Sequence, residues 1–267
     1  MIKLIVTDLD GSLLNDKKEV SADFWEVEKA LRESGITFAI ASGRPLHNIA
    51  NEFSSIKDNT YFISDNGAYV VHRDEELLAL PLSSEIVNEF VAISRNIKNA
   101  YPVLCGKQMA FLENIDEELR KIALQYYQEY EIVERLENVM EPILKISMCD
   151  LGDPYTNSYP HFKKFENEYK VAVAGTRWLD ITGFDADKGN AVKLLQEKLG
   201  VTYEETMVFG DYLNDLQLMK AGKYSFAMKN AQPEIMRAAN FITRFDNNED
   251  GVVRTIKEFL PTIFPSS

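Results

Sequence analysis

The chain has 267 residues, of which 45% are hydrophobic, and a formal net charge of −13. This length allows one large domain or a domain with an insert, and the negative charge argues against a nucleic-acid partner, because binding a phosphate backbone needs clustered Lys and Arg. Cys105 and Cys149 cannot build a disulfide framework, and neither a signal peptide nor an apolar run of membrane-spanning length is visible, so we expect a cytoplasmic protein with no membrane partner.

The first predicted element is a buried strand over residues 2–7 that ends in Asp8, Asp10 and Gly11. In open α/β sheets, ligands bind beyond the carboxyl ends of the strands, which is where this pair would lie. A turn at Gly11 would let both carboxylates face one ion or one reacting group. Two carboxylates this close need a cation or a shared proton. A simple turn with an Asx hydrogen bond explains the segment, taken alone, about equally well.

Helix-like and strand-like segments then alternate as far as residue 82. In order, the pattern predicts a helix over 21–33, a strand over 36–41, a helix over 46–53 and strands over 61–63 and 69–71. Ser42 and Gly43 follow the second strand, directly before Arg44 and Pro45. These residue types are ordinary at the start of a helix, but a hydroxyl beside free backbone N–H groups also makes an anion site.

The pattern changes after residue 82 and indicates an inserted α+β domain. We predict a helix near 116–130, strands near 144–149 and 171–174, and a hairpin partner for the last strand at 177–181. The predicted domains are therefore a discontinuous core, 1–82 plus 185–267, and an insert, 83–184.

Two further segments after the insert carry functional chemistry. Lys188 opens a predicted helix that ends at Gly200, although the helix dipole disfavours a cation there. It is either a solvated surface lysine or a cation directed at an anion. A strand over 206–209 leads into Asp211, Asn214 and Asp215. Asp211 alone could cap a helix, but three oxygen-bearing side chains on one strand-end loop are more typical of a Mg²⁺ site.

Taken in order, these segments resemble the haloacid dehalogenase (HAD) superfamily, in particular its Cof-like sugar-phosphatase branch with a large C2-type cap. The first four motifs are matched by Asp8-Leu9-Asp10-Gly11-Ser12, Ser42-Gly43-Arg44, Lys188-Gly189 and Gly210-Asp211-Tyr212-Leu213-Asn214-Asp215. Asp65-Asn66-Gly67-Ala68 also resembles this branch. The resemblance spans nearly the whole chain and implies a Rossmann-like, three-layer α/β/α core with a parallel sheet and an inserted α+β cap.

The resemblance also implies a role for each motif residue. Asp8 is the expected nucleophile and Asp10 the expected general acid and base. Mg²⁺ is the expected cofactor, held by Asp8, by Asp10 through its main-chain carbonyl, and by Asp211, with Asp215 as a ligand or an orienting partner. The expected phosphate-binding or substrate-binding residues are Leu9, Ser42, Gly43, Arg44, Lys188 and Asn214.

The expected activity is hydrolysis of small phosphorylated metabolites, sugar phosphates in particular, through an aspartyl-phosphate. The insert is expected to cover the site and to select the substrate. Two alternatives remain open from the sequence: a sugar phosphomutase on the same fold, and a non-catalytic module that binds phosphorylated metabolites. The oligomeric state is not predicted.

Overall fold

The computed structural model describes residues 1–113, 119, 121–122, 126–174 and 176–265. The chain divides into two compact units. Unit 1 comprises Met1–Gly43, Phe53–Leu77 and Asp187–Ser267, and unit 2 comprises Arg44–Glu52 and Leu78–Ala186. The sequence predicts that residues 44–52 belong to the core and that the insert spans 83–184, so unit 2 is larger than the predicted cap. The domain assignment itself stays a prediction.

Strands and short helices alternate along the described residues. The strands are β1 (Leu4–Asp8), β2 (Thr37–Ala41), β3 (Thr60–Ser64), β4 (Tyr69–His72), β5 (Glu75–Ala79), β6 (Ala100–Gly106), β7 (Ala110–Leu112), β8 (Tyr130–Ile132), β9 (Ile143–Asp150), β10 (Tyr169–Ala174), β11 (Trp178–Gly183), β12 (Thr206–Gly210), β13 (Tyr224–Ala227) and β14 (Phe241–Ile242). The helices are α1 (Ala22–Glu33), α2 (Leu46–Glu52), α3 (Ser84–Ser94), α4 (Tyr159–Phe162), α5 (Lys188–Leu199), α6 (Pro233–Ala238) and α7 (Gly251–Phe259). Within the described ranges, no helix is both long enough and apolar enough to cross a bilayer.

The first sheet has the strand order β14-β13-β12-β1-β2-β3-β4-β5. Its strands from β14 to β3 are parallel, and β4 pairs antiparallel with β3. This largely parallel sheet confirms the predicted α/β class. Because parallel strands end at the same edge, the residues that follow β1, β2 and β12 come together there.

Strand β1, near the middle of the first sheet, is completely buried. All five residues of this strand are buried, and its backbone pairs with β12 on one side and with β2 on the other. Helix α1 buries Phe24, Val27 and Leu31, the apolar stripe that its sequence predicts. Each such side chain contributes about 1.5–3 kcal/mol through the hydrophobic effect. The carboxyl end of β1 therefore projects from a well-packed core.

Unit 2 contains a second sheet, with the strand order β10-β11-β9-β6-β7-β8. The predicted hairpin between β10 and β11 is confirmed, and both strands run antiparallel. Along β9, Ile146 and Met148 lie in one apolar cluster and Cys149 in another, so this sheet buries side chains on both faces. Strands β5, β7 and β8 were not predicted. Within the helix predicted near 116–130, residues 116–118, 120 and 123–125 lie outside the described residues, and its predicted last residue, Tyr130, instead begins β8.

Candidate active site

Three acidic side chains meet at the carboxyl edge of the first sheet. Asp8 is the last residue of β1, Asp211 follows β12, and Asp215 ends the 3₁₀ turn Leu213–Asp215. Each offers one carboxylate oxygen, and these oxygens lie within 4.8 Å of one another. An isolated turn is therefore an insufficient interpretation of the first motif, because Asp8 at the strand end is joined by two acidic groups from about 200 residues away.

Lys188, at the start of α5, supplies the positive charge of this cluster. Its ammonium lies 2.6 Å from Asp8 Oδ1 and 2.6 Å from Asp215 Oδ1, and its side chain is 0% exposed. Burial on its own would lower the pKa of Lys188, but the charges of Asp215 and Asp8 raise it above the ordinary value. The interpretation of Lys188 as a solvated surface residue is therefore wrong.

Asp215 fixes the loop that carries Asp211. While its Oδ1 accepts the Lys188 ammonium, its Oδ2 accepts the backbone N–H groups of Asp211 at 3.0 Å and of Tyr212 at 3.2 Å. Both oxygens are thus engaged by groups of the protein. This pattern is typical of a residue that orients the binding groups of a site without binding the ligand itself.

Asp211 is partly exposed and faces the first motif. Its Oδ1 accepts a hydrogen bond from the Ser12 hydroxyl at 3.2 Å. A Cβ atom at Gly11, whose φ is +86°, would overlap the Asp211 carboxylate. Because of this overlap, a glycine is required at position 11 for the first motif and Asp211 to approach this closely.

Burial and the charge of Asp215 raise the pKa of Asp211 to about 6.

Burial also sets the protonation behaviour of Asp8. It raises the pKa of the Asp8 carboxyl well above 3.8, the nearby Lys188 ammonium lowers it, and Asp215 and Asp211 raise it further. Asp8, Asp211 and Asp215 together carry more negative charge than one lysine balances. A hard divalent cation such as Mg²⁺ prefers oxygen ligands of this kind, so the residues present fit such an ion.

Asp10 has a different environment from Asp8. Its side chain is 36% exposed, and its Oδ1 accepts the Lys18 ammonium at 2.6 Å. Among the described residues, the Asp10 carboxylate does not belong to the cluster that could hold a metal ion. Lys18 was not predicted as a partner of Asp10, because its place eight residues later in a polar loop carries no signal for the pairing.

The predicted phosphate-binding residues fall into two groups. In unit 1, Leu9 and Ser42 are buried, and Asn214 Nδ2 donates to Asn66 Oδ1 at 2.9 Å. Asn66 stands in the segment 65–68 that resembles the Cof-like branch, but it was not predicted as a site residue. In unit 2, the Arg44 guanidinium donates to Glu52 Oε2 at 2.9 Å, and both side chains are one-quarter exposed.

The sequence matches a known protein family. Residues 5–256 match the model of the haloacid dehalogenase-like hydrolases. The chain belongs to this family. The match covers nearly the whole chain, including all four motifs, and confirms the resemblance seen in the sequence.

Proteins of similar sequence and structure support the assignment of this chain to the haloacid dehalogenase-like hydrolases. The chain is 28% identical to the 5-amino-6-(5-phospho-D-ribitylamino)uracil phosphatase YbjI of Escherichia coli (strain K12), over 97% of this chain and 96% of that protein. It is 26% identical to the phosphatase YwpJ of Bacillus subtilis (strain 168), over 97% and 100% of the two chains. The crystal structure of a haloacid dehalogenase-like hydrolase from Bacteroides thetaiotaomicron superposes with a TM-score of 0.84 at 28% identity, covering 97% of this chain and 100% of that one.

Family and relatives together identify the type of enzyme. The family is one of hydrolases, and the curated relatives are named as phosphatases. The chain is accordingly a phosphoric monoester hydrolase.

Proposed function

We propose that this chain is a Mg²⁺-dependent phosphatase that hydrolyses small phosphorylated metabolites, sugar phosphates in particular, through an aspartyl-phosphate intermediate. The observation that carries the proposal is the buried contact of Asp8 with Lys188, beside Asp211 and Asp215. A carboxylate fixed by a cation at a strand end is suited to in-line attack on phosphorus. A purely structural ion pair would not need two further carboxylates beside it.

Asp8 and Asp10 divide the chemistry between them. An Asp8 oxygen attacks phosphorus, and the bond from phosphorus to the ester oxygen breaks. Asp10 gives its proton to the departing alkoxide and then takes one from the water that attacks the phosphorylated Asp8. This second displacement releases inorganic phosphate and restores the Asp8 carboxylate. The greater exposure of Asp10 supports its role, since it must exchange a proton with the leaving group and with water.

The phosphoryl oxygens are held by donors from several segments. We assign this role to the Ser42 hydroxyl, the backbone N–H groups of Gly43 and Leu9, the Lys188 ammonium and the Asn214 amide. Donors fixed in advance stabilise the charge that develops in transfer, because they need no reorganisation during the reaction. Arg44 is a further candidate, although its guanidinium pairs with Glu52.

A Mg²⁺ ion would be held by the side chains of Asp8 and Asp211 and by the main-chain carbonyl of Asp10. When bound, it would offset the repulsion between the Asp8 carboxylate and the incoming phosphate. We place Asp215 as an orienting partner, because Lys188 and two backbone N–H groups engage both of its oxygens.

The proposed substrate class is supported by a relative and by the organisation of the chain. The Escherichia coli relative is named for a phosphate carried on a ribityl group, which is a sugar alcohol. We propose that this chain acts on phosphate esters of the same general type, on a sugar or a sugar alcohol. Unit 2 is the part of the chain that we expect to select the organic group of the substrate.

Phosphate release from a panel of phosphorylated metabolites, in Mg²⁺ and in EDTA, tests the proposal. We expect release that requires Mg²⁺, and an acid-quenched reaction in which mass spectrometry finds phosphate on the peptide containing Asp8. Asp8→Asn should abolish release, whereas the exposed control Asp74→Asn should not. Substantial turnover by Asp8→Asn would overturn the assignment of the nucleophile. An isomerised sugar phosphate without net phosphate release would instead indicate a phosphomutase.

A further inference from the structure

Three consecutive residues after β3 have a left-handed backbone. The φ angles of Asp65, Asn66 and Gly67 are +48°, +58° and +97°. Asp and Asn tolerate this conformation better than other side chains, but it is still unfavourable and persists only where the surroundings fix it. Since such backbones concentrate at functional sites, the contacts of this turn are informative.

The last residue of the turn lies against the start of α5. A Cβ atom at Gly67 would overlap the carbonyl of Asp187 and would lie 2.9 Å from the backbone nitrogen of Lys188. Only glycine fits this position. The turn is therefore in close contact with the segment that introduces Lys188 into the carboxylate cluster.

The middle residue, Asn66, joins two other segments of the site. Its backbone N–H donates to the Ser42 carbonyl at 3.0 Å. Its side-chain Oδ1 accepts from Asn214 Nδ2 at 2.9 Å. A Cβ atom at Gly43 would lie 2.9 Å from the same Oδ1, so the Asn66 amide is packed directly against the Gly43 backbone. One side chain thus touches two of the proposed phosphate-binding residues, which are 171 positions apart in the chain (214 minus 43).

From these contacts we infer that Asn66 is a positioning residue for phosphate binding. Its amide holds the Asn214 side chain and the Gly43 backbone in one arrangement, so that donors from two distant segments bind the same phosphoryl group. Asn214 is exposed, and without this bond its amide would sample several rotamers. The inference rests on the proposed function, because it takes Gly43 and Asn214 as phosphate-binding residues.

Asn66→Gly removes the side-chain amide but keeps the left-handed backbone, because glycine adopts this conformation without steric cost. We expect this variant to fold with a Tm close to that of the wild type. Its kcat/KM for p-nitrophenyl phosphate should fall, and its Kd for inorganic phosphate with Mg²⁺, measured by calorimetry, should rise. We expect changes of roughly tenfold to a hundredfold, since a misplacement of about 1 Å can cost about a hundredfold.

Asn99→Gly is the matched control. Asn99 is also a left-handed asparagine, with a φ of +59°, but it is exposed and lies in unit 2. It shares the backbone conformation of Asn66 and has none of the contacts described above. Its replacement should leave the Kd for phosphate and kcat/KM within about twofold of the wild type.

A double variant tests the route through Asn214. In an Asn214→Ala background, Asn66→Gly should lower kcat/KM by a smaller factor than it does in the wild type, because part of its effect is already lost. If Asn66→Gly lowered kcat/KM by equal factors in the two backgrounds, Asn66 would not act through Asn214.

Two outcomes would overturn the inference. One is an Asn66→Gly variant with wild-type kcat/KM and phosphate affinity. The other is a fall in kcat that matches a loss of folded protein, at unchanged phosphate affinity, because that result indicates a purely structural residue. A wild type that releases no phosphate would remove the proposed function as well, whereas an active wild type equalled by Asn66→Gly would remove only the role of Asn66.

Discussion

The ammonium of Lys188 and the carboxylate of Asp8 form a 2.6 Å ion pair that is almost completely shielded from solvent. Burying two charges is costly, and only their mutual attraction and further hydrogen bonds offset the desolvation. Removal of one partner leaves the other charge uncompensated in the core. Under the proposed function, stability and catalysis both depend on this pair, and they should respond differently to the loss of each partner.

Lys188→Met should damage both properties. It leaves the buried carboxylates of Asp8 and Asp215 without their cation, so we expect the free energy of unfolding to fall by about 3–5 kcal/mol. Phosphate release should also be lost. The control is Lys198→Met, which breaks an exposed 2.7 Å pair with Glu75 and should cost at most about 1 kcal/mol. Urea unfolding of both variants measures the difference, and equal stability losses would contradict the buried role of Lys188.

Asp8→Asn should abolish activity without loss of stability. Burial raises the pKa of Asp8 well above 3.8, so the ionised carboxyl works against folding at neutral pH. The stability that protonated Asp8 contributes is fully present below about pH 3.8 and is lost as the pH rises through the folded-state pKa. In EDTA, the variant should thus be more stable than the wild type at pH 7.5, and the two should converge as the pH falls towards 4. A variant that is less stable at pH 7.5 would show that the bond to Lys188 outweighs the desolvation of Asp8.

Much of the core and its site follows from local patterns. The buried strands β1, β2 and β12 are short apolar runs, and the polar residues that end them are adjacent in sequence to the strands that place them. The ordered motifs therefore predicted both the parallel sheet and the meeting of Asp8 with Asp211. The burial of Lys188 could not be derived, because a lysine at a helix start is normally solvated.

Other features have no local signal. Strands β5 and β8 are exposed or half-buried along their whole length, so neither shows the alternation that marks a strand. The hydrogen bonds from Asn214 to Asn66 and from Lys18 to Asp10 depend on where loops lie in space. Such contacts between polar loop residues leave no periodic pattern in the sequence.

Asp211→Asn tests the proposed metal site through binding rather than activity. A ligand that binds only the folded state raises the Tm as its concentration increases. We expect Mg²⁺ to raise the Tm of the wild type and of the control Asp74→Asn, whose carboxylate is exposed and belongs to none of the site motifs. The rise should be much smaller for Asp211→Asn. A full Mg²⁺ response in that variant would exclude Asp211 as a ligand.

The contact between Gly11 and Asp211 can be tested with a pair of glycine variants. Gly11 and Gly35 both have a left-handed backbone, with φ of +86° and +74°, so Ala at either position carries the same type of backbone strain, about 1–2 kcal/mol. They differ in their surroundings, since a Cβ at Gly11 would overlap the Asp211 carboxylate, whereas a Cβ at Gly35 has no atom within 4 Å. Gly35→Ala should lose stability and keep its kcat/KM.

Gly11→Ala should lose both stability and kcat/KM, because the Asp211 side chain must move to accommodate the new Cβ atom. We expect kcat/KM to fall by roughly a hundredfold, as for other displacements of about 1 Å in an active site. Unfolding by urea and phosphate release, measured on the same preparations, separate the two effects. If both variants lost stability equally and both kept full activity, the position of Asp211 would not depend on the absence of a side chain at residue 11.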